Sequence, residues 1–261
     1  EVVTAEGARV PYDRLLIATG SNPIMLPLPG KDLPGVIGFR DIQDVERMVQ
    51  ASTSYKNAIV IGGGLLGLEA ANGLMKRGMN VTVVHLLDTL MERQLDQVAG
   101  GLLRKSLEER GMVFKMPAQT EAILGKDRVT GVRFGDGSEL AADLVVMAVG
   151  IRPNFELAKK AGLYCERGIV VSDTMQTITD PRIYSVGECA AHRGTVYGLV
   201  APLFEQGKVC ATHLAEFGIG RYTGSQTSTK LKVTGIDLFS AGNFTGGADC
   251  EEIVMSDPYG G

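Results

Sequence analysis

Three glycines in the first third of the chain have the spacing of a phosphate-binding loop. They occur as Gly62-x-Gly64-x-x-Gly67, after the apolar run 58–61 and before a segment with helical periodicity. In this context the first glycine allows a tight turn, the second lets the backbone approach a pyrophosphate, and the third lets the helix pack on the strand. The helix N-terminus then offers free N–H groups to the phosphates. We interpret the loop as a dinucleotide site, and the alternative is a purely structural turn.

The next strand, residues 81–84, ends at a histidine. His85 stands where NAD-specific sites usually have Asp or Glu for the adenosine ribose. A neutral histidine can hydrogen-bond a hydroxyl, whereas a cationic one can pair with a phosphate. No Arg follows between His85 and Glu92, so the sequence slightly favours NADH and leaves NADPH open. The alternative is a histidine at the strand end that contacts nothing.

The first turns of the glycine-loop helix add three candidates for the dinucleotide site. Leu65 and Leu66 follow the second glycine, where the free N–H groups are expected. Glu69 lies near the positive end of the helix dipole. It is either a dipole-stabilised surface acid or an acid that faces the nicotinamide, and no residue is a certain catalytic group.

Apolar periodicity and turn residues predict the surrounding elements. Strand patterns occur at residues 15–17, 129–134, 144–149 and 183–187, and Gly135-Asp136-Gly137 predicts a hairpin between the second and third of these. Helices are predicted after Asp41, after Gly64, from about Asp96 and over 202–217. Buried faces are expected for the first three helices. In chain order they are formed by Ile42, Val45, Met48 and Val49, by Leu66, Ala70 and Leu74, and by Ala99, Leu102, Leu103 and Leu107.

Composition excludes several classes of protein. The chain has 261 residues, of which 44% are hydrophobic and 21% charged, as in globular domains. The net charge of −4 gives no reason to expect nucleic acid or an anionic membrane as a partner. We find no apolar run of about 20 residues and no signal peptide. The four cysteines lack metal-ligand spacing, which predicts no metal site and favours the cytoplasm.

Four ordered segments resemble the pyridine nucleotide:disulfide oxidoreductase superfamily. They are residues 12–20 (YDRLLIATG), residues 58–71 with the glycine loop, residues 145–154 (VVMAVGIRPN) and residues 183–190 (IYSVGECA). The resemblance implies an α/β fold in which a Rossmann-like NAD-binding domain is inserted in an FAD-binding domain. The expected limits are residues 1–35 and 151–222 for the FAD domain, 36–150 for the NAD(P)H domain, and 223–261 for the start of a C-terminal domain.

The resemblance also implies site residues for FAD and for the nicotinamide. Glu188 is expected to accept hydrogen bonds from the flavin ribityl chain, and the helix near Pro202 to aim its N-terminus at the flavin ring. Gly150 is expected to line the nicotinamide path and Glu69 to face the nicotinamide–flavin junction. The remaining implied FAD contacts are Ala18, Thr19, Gly20, Arg152, Gly187 and Ala201.

Within the superfamily the chain most resembles the flavin module of assimilatory NAD(P)H nitrite reductase large subunits. Glu188 replaces the usual Asp, and residues 91–96 and 230–235 are also similar to that group. Rubredoxin and ferredoxin reductases are the nearest alternatives. The redox cysteine pair of disulfide reductases is absent, and so is the family's first glycine loop. We therefore expect an incomplete FAD domain and a fragment of a longer protein.

The implied function is electron entry. NAD(P)H would reduce FAD, and the electrons would pass to an acceptor domain or protein. In a nitrite reductase that acceptor would use siroheme and an iron–sulfur cluster, which four widely spaced cysteines cannot ligate here. The alternatives are a rubredoxin- or ferredoxin-type reductase and a dinucleotide-binding fragment without flavin chemistry. Apolar surface exposed by an incomplete FAD domain would favour self-association, so a homodimer is left open.

Overall fold

The structure is a computed structural model that describes residues 1–233, 235–244, 249–251 and 253–255. The chain forms two compact units. The flanking unit comprises Glu1–Ile24 and Gly150–Thr227, and the central unit comprises Met25–Val149 and the described residues from Ser228 onward. The boundaries differ from the predicted limits after residues 35, 150 and 222. Which dinucleotide each unit binds stays a prediction.

The described residues contain short strands and five helices. In chain order the strands are β1 (Val2–Val3), β2 (Arg9–Val10), β3 (Leu15–Ile17), β4 (Ser21–Pro23), β5 (Val36–Gly38), β6 (Asn57–Ile61), β7 (Asn80–Val84), β8 (Val113–Lys115), β9 (Thr120–Gly125), β10 (Val129–Phe134), β11 (Glu139–Ala141), β12 (Leu144–Met147), β13 (Ile151–Pro153), β14 (Ile169–Val171), β15 (Ile183–Ser185), β16 (Ala190–His192), β17 (Ser228–Lys230) and β18 (Phe239–Ala241). The helices are α1 (Ile42–Ser54), α2 (Leu65–Lys76), α3 (Gln97–Glu108), α4 (Glu156–Lys160) and α5 (Val200–Leu214).

A five-stranded parallel sheet organises the central unit. Its strand order is β5-β12-β6-β7-β8, so β6 lies in the middle. Successive side chains of β6 alternate between two cores: Val60 packs with residues of α2 and α3, whereas Ile59 packs with β10. The sheet is thus covered by helices on one face and by the antiparallel sheet β11-β10-β9 on the other. Burial on both faces explains the continuous apolar sequences of β6 and β12.

The predicted hairpin is wrong in its second strand. β10 pairs antiparallel with β11, through Gly131 opposite Ala141, and not with residues 144–149. The turn at residues 135–137 is where the sequence predicts it. The short sequence of β11 carries a weak apolar signal, whereas all four residues of β12 are buried and suit a parallel sheet.

The starts of α1, α2 and α3 agree with their predicted signals, but some predicted buried positions are exposed. The Asp41 side chain caps α1 by accepting from the Asp44 N–H at 3.0 Å, and Gly78 follows the end of α2 with a φ of +82°. Leu66 and Leu102 are exposed, and so are Ile42 and Val45. Of the other predicted positions, Met48, Ala70, Leu74, Leu103 and Leu107 are buried, and α2 also buries Leu68 and Ala71.

The flanking unit consists of paired short strands, the short helix α4 and the longer helix α5. β3 pairs parallel with β15, β4 antiparallel with β13, and β14 parallel with β16. One core contains Ile17 and Ile183, and a second contains Tyr184, Tyr197 and Tyr222. α5 begins at Val200, two residues before the predicted start. The strand pairs bring together segments that are distant in the sequence.

The segment after residue 227 packs on the central unit. β17 and β18 form an antiparallel pair, and Leu231 and Val233 are buried in the core of the helix-covered face. Arg110 donates to the Gly235 carbonyl at 2.6 Å. The sequence predicts a further domain here, but these contacts make the segment part of the central unit. Across the described ranges, no helix has the length and apolarity needed to cross a membrane.

Candidate functional site

The glycine loop joins β6 to α2, and two of its three motif glycines are required for steric reasons. Gly62 has a φ of +123°, and a Cβ there would collide with the Ala148 carbonyl. A Cβ on Gly67 would collide with the Gly62 carbonyl oxygen. The first glycine therefore makes the turn and the third allows close helix packing, as the motif predicts.

The second glycine of the motif is not required for internal packing. Gly64 is the N-cap of α2 and has ordinary extended backbone, with φ −84°. A Cβ on Gly64 would meet no described atom within 4 Å. The open side of the loop therefore faces space beside the N–H groups of Leu65 and Leu66, which begin the helix. This geometry fits a pyrophosphate, which requires backbone approach and unsatisfied donors.

A histidine and a methionine form hydrogen bonds to the backbone of the loop. His85 Nδ1 accepts a hydrogen bond from the Gly63 N–H at 3.0 Å, and the Met91 N–H donates to the Gly63 carbonyl at 3.0 Å. His85 is only 8% exposed, so the interpretation of a histidine without contacts is wrong. Its predicted role at the adenosine ribose stays a prediction. Gly63 and Met91 carry no sequence signal of their own, because both contacts depend on tertiary structure.

Glu69 lies on α2 and contacts the C-terminal segment of the central unit. Its carboxylate accepts a hydrogen bond from the Lys232 N–H at 3.2 Å. The side chain is half-buried. A bond to Lys232 explains an acid at this position, and the predicted role near the nicotinamide stays a prediction.

In the flanking unit, the strand pairs bring three predicted FAD segments together. The Asn154 N–H donates to the Gly20 carbonyl at 2.8 Å, and the Thr19 hydroxyl donates to the Asn154 carbonyl. Ala18 and Thr19 are exposed beside this contact. Arg152 is exposed in β13. The segments that the resemblance groups around FAD are therefore neighbours in space.

Glu188 is a buried acid within this cluster. It is 8% exposed, and its Oε2 accepts a hydrogen bond from the Ser21 hydroxyl at 2.7 Å. The preceding Gly187 donates its N–H to the Gln206 side-chain oxygen at 3.0 Å. Sequence reasoning missed Ser21 and Gln206, because their spacing from Glu188 in the chain gives no signal. A buried carboxylate suits a polyhydroxylated ligand, because carboxylate oxygens accept hydrogen bonds from hydroxyl groups.

The other predicted residues lie at the ends of elements in the flanking unit. Gly150 has a φ of +117°, and its carbonyl accepts from the Ile24 N–H at 3.0 Å. Gly150 thus belongs to the flanking unit, although the prediction assigns it to NAD(P)H. Ala201 is exposed and Pro202 buried in the first turn of α5. Because Leu199 is the N-cap, the helix presents no side-chain acceptor to its own first N–H groups.

Cysteine and histidine side chains in the described residues form no metal centre. None of the described parts contains three or more His, Cys, Asp or Glu side chains arranged to hold a metal ion. Cys189 and Cys210 are buried and free, and burial raises the pKa of the Cys210 thiol to about 11. His192 is buried against Asp173 at 2.8 Å, and Arg193 together with His192 lowers the pKa of that carboxyl to about 2.

A parallel sheet with a glycine loop at the carboxyl end of its central strand defines a dinucleotide-binding α/β protein. Comparison with known proteins identifies its family. Residues 1–215 match the pyridine nucleotide-disulphide oxidoreductase family, and the chain belongs to it. The resemblance and the fold class inferred from the sequence are thereby confirmed.

Individual relatives are similar over the whole chain. It is 55% identical over 260 residues to a nitrite reductase [NAD(P)H] of Bacillus subtilis, covering 100% of this chain and 32% of that protein. It is 47% identical over 261 residues to an assimilatory nitrate reductase electron transfer subunit of the same organism, covering 100% and 34%. A ferredoxin reductase structure from Rhodopseudomonas palustris has a TM-score of 0.80 at 30% identity, covering 87% and 57%. The chain thus spans about a third of the length of these two Bacillus relatives.

Proposed function

We propose that the chain is the electron-entry module of an NAD(P)H-dependent flavoprotein reductase. The central unit binds NAD(P)H through Gly62, Gly64 and Gly67, and the flanking unit holds FAD. The geometry of the glycine loop carries this proposal, because Gly64 is open on the side where a pyrophosphate would approach. When bound, FAD would accept a hydride from NAD(P)H and release the electrons to a further centre.

On the NAD(P)H side, the role of the protein is to bind the dinucleotide and to orient it. The N–H groups at the start of α2 hold the pyrophosphate, and the helix dipole favours its charge. His85 and Met91 fix the loop by bonding both polar groups of the Gly63 peptide. A fixed loop lowers the entropic cost of binding, because the donors are already placed.

On the FAD side, the buried Glu188 carboxylate accepts hydrogen bonds from the ribityl hydroxyls, and Ser21 orients it. The first turn of α5, with Ala201 and Pro202, places its positive end toward the flavin ring. Ala18, Thr19, Gly20, Arg152 and Gly187 complete the proposed contacts. Gly150 and Glu69 remain the residues assigned to the nicotinamide.

For the whole protein we propose a cytoplasmic nitrite reductase of the assimilatory type. The names and identities of the two Bacillus relatives support this reading. Siroheme and an iron–sulfur cluster would then lie outside this chain, in an acceptor domain or protein. A homodimer is part of the proposal, on the ground of apolar residues exposed in the flanking unit such as Phe204.

The alternative function is a ferredoxin-type reductase that reduces a separate protein. The similarity to the Rhodopseudomonas ferredoxin reductase favours it. Both functions share electron entry from NAD(P)H through FAD. They differ only in the acceptor, so the two dinucleotide sites are the first features to test.

A pair of glycine substitutions tests the dinucleotide site of the full chain. In Gly64→Ala the added methyl fits the fold but projects where the pyrophosphate would approach, so NADH binding should weaken at least about tenfold. Gly73→Ala is the matched control, since Gly73 is exposed on the same helix and also has open space. Calorimetric titration measures both. Equal affinities for NADH in the two variants, or no binding by the unchanged chain, would overturn the proposal.

Flavin retention is measured separately on the same preparation. The full chain is mixed with FAD, desalted and examined for flavin absorbance. We expect bound flavin, and less of it in Glu188→Ala than in the unchanged chain. Absence of flavin in the unchanged chain, with NADH still bound, would favour the dinucleotide-binding fragment without flavin chemistry.

A further inference from the structure

We propose that Glu92, not His85, is the residue that selects NADH over NADPH. This inference rests on the proposed function, because it assigns the adenosine-ribose contact of the same site. Three structural observations carry it, together with the charge of Glu92. Both polar backbone atoms of Gly63 are hydrogen-bonded, the free nitrogen of the His85 ring lies beside Glu92, and the backbone holds Glu92 in place.

The first observation is that both polar backbone atoms of Gly63 already have hydrogen-bond partners within the protein. Its N–H donates to His85 Nδ1 and its carbonyl accepts from the Met91 N–H, each at 3.0 Å. A Cβ on Gly63 would lie 2.8 Å from atoms of His85 and Leu90, so the ring packs directly on the backbone. The His85 ring therefore supports the loop by packing against the Gly63 backbone.

The second observation concerns the other nitrogen of the ring. Because Nδ1 accepts a hydrogen bond, the neutral imidazole carries its proton on Nε2. This nitrogen is buried and makes no hydrogen bond to a described residue. It lies 3.4 Å from Glu92 Oε2, which is too long for a normal hydrogen bond but close enough to favour a carboxylate there. The one free donor of the His85 ring thus lies beside the Glu92 carboxylate without a hydrogen bond to it.

The third observation is that the backbone holds Glu92 in place. Leu90 and Met91 are completely buried in the central core, and Met91 has a φ of +52°. The N–H groups of Gln94 and Leu95 both donate to the Met91 carbonyl, at 2.7 and 2.9 Å. The turn leaves the Glu92 side chain one-third exposed, beside the end of β7.

These placements give Glu92 the role that a strand-end acid has in other dinucleotide sites. A carboxylate accepts hydrogen bonds from the ribose hydroxyls and repels a 2′-phosphate. A histidine whose Nδ1 is engaged and whose Nε2 carries the proton presents no acceptor for a hydroxyl. The acid therefore comes from the turn after β7 and not from the strand itself. Arg93 follows Glu92 and is the residue that would favour NADPH if the proposal is wrong.

The test compares the affinities of the full chain for NADH and NADPH by calorimetric titration. Glu92→Gln keeps the shape and removes the charge. We expect its NADH-to-NADPH preference to fall about tenfold, chiefly through tighter NADPH binding. Asp88→Asn is the matched control, since Asp88 is an exposed acid four residues earlier in the same segment. Its preference should stay within about twofold of the unchanged chain.

The outcomes separate this inference from the function on which it rests. If the unchanged chain binds NADH and Glu92→Gln keeps its preference, the inference is wrong and the proposed function stands. An equal fall in Asp88→Asn would also overturn it, because a general charge effect would then explain the result. If the unchanged chain binds neither dinucleotide, the proposed function is wrong and the inference falls with it.

Discussion

At the scale of single residues, the site depends on positions that no motif names. Gly63 is a variable position of the glycine motif, yet its neighbours leave no room for a side chain. His85 is predicted to contact a ligand, and in the structure its Nδ1 also supports the loop. Ser21 likewise orients Glu188 from a position 167 residues away in the chain. Such contacts are set by tertiary structure, so sequence spacing cannot reveal them.

The buried thiol of Cys210 predicts a loss of stability at alkaline pH. Its pKa is raised by burial from 9.0 to about 11. Below pH 9 the thiol is protonated in both states and contributes nothing to pH dependence. Above pH 9 the unfolded chain releases this proton first, which favours unfolding until the folded thiol ionises near pH 11. We therefore expect the urea midpoint to fall between pH 8.5 and about 10.5.

The variant Cys210→Ala isolates this contribution from that of other groups. Burial also raises the pKa of Tyr222, to about 12, so the alkaline loss has more than one source. The fall in urea midpoint should be smaller in Cys210→Ala than in the unchanged chain. An identical fall in both would show that the Cys210 thiol has no part in it.

At the scale of elements, local signals predict where helices begin and end. Asp41 is the N-cap of α1, and its side chain accepts from the Asp44 N–H. Asp41→Ala should lower the free energy of unfolding by about 1 kcal/mol, because a helix N–H loses its partner. Asp41→Asn keeps an acceptor and should lose less. Urea unfolding at neutral pH measures both, and equal losses would mean that the cap bond contributes no stability.

The secondary-structure elements also show why some parts of the fold could not be predicted from the sequence. β6, β7 and α2 are predicted because apolar runs, helical periodicity and glycines all agree there. The partner of β10 is missed because β11 has only three residues, of which two are exposed. The predicted face of α2 is correct at Ala70 and Leu74 but wrong at Leu66. Leu68 is buried in its place, because both leucines are apolar and only the packed sheet selects between them.

At the scale of the whole molecule, the C-terminal segment belongs to a unit that begins two hundred residues earlier. Leu231 and Val233 are buried with Leu68, Leu74 and other residues of the central core. The sequence of residues 223–261 shows short strands without a closed pattern, so it predicts a separate domain. The burial of these two side chains is visible only when the surface of the central unit is known.

This packing predicts that the segment stabilises the central unit. Leu231→Ala leaves a cavity beside the parallel sheet, since Leu231 is only 2% exposed. We expect the free energy of unfolding to fall by about 2–5 kcal/mol. Ile253→Ala is the control, because Ile253 lies in the same segment but is 87% exposed and should change stability by less than about 0.5 kcal/mol. A small effect of Leu231→Ala, matching that of the control, would mean that the segment folds apart from the central unit, as the sequence predicts.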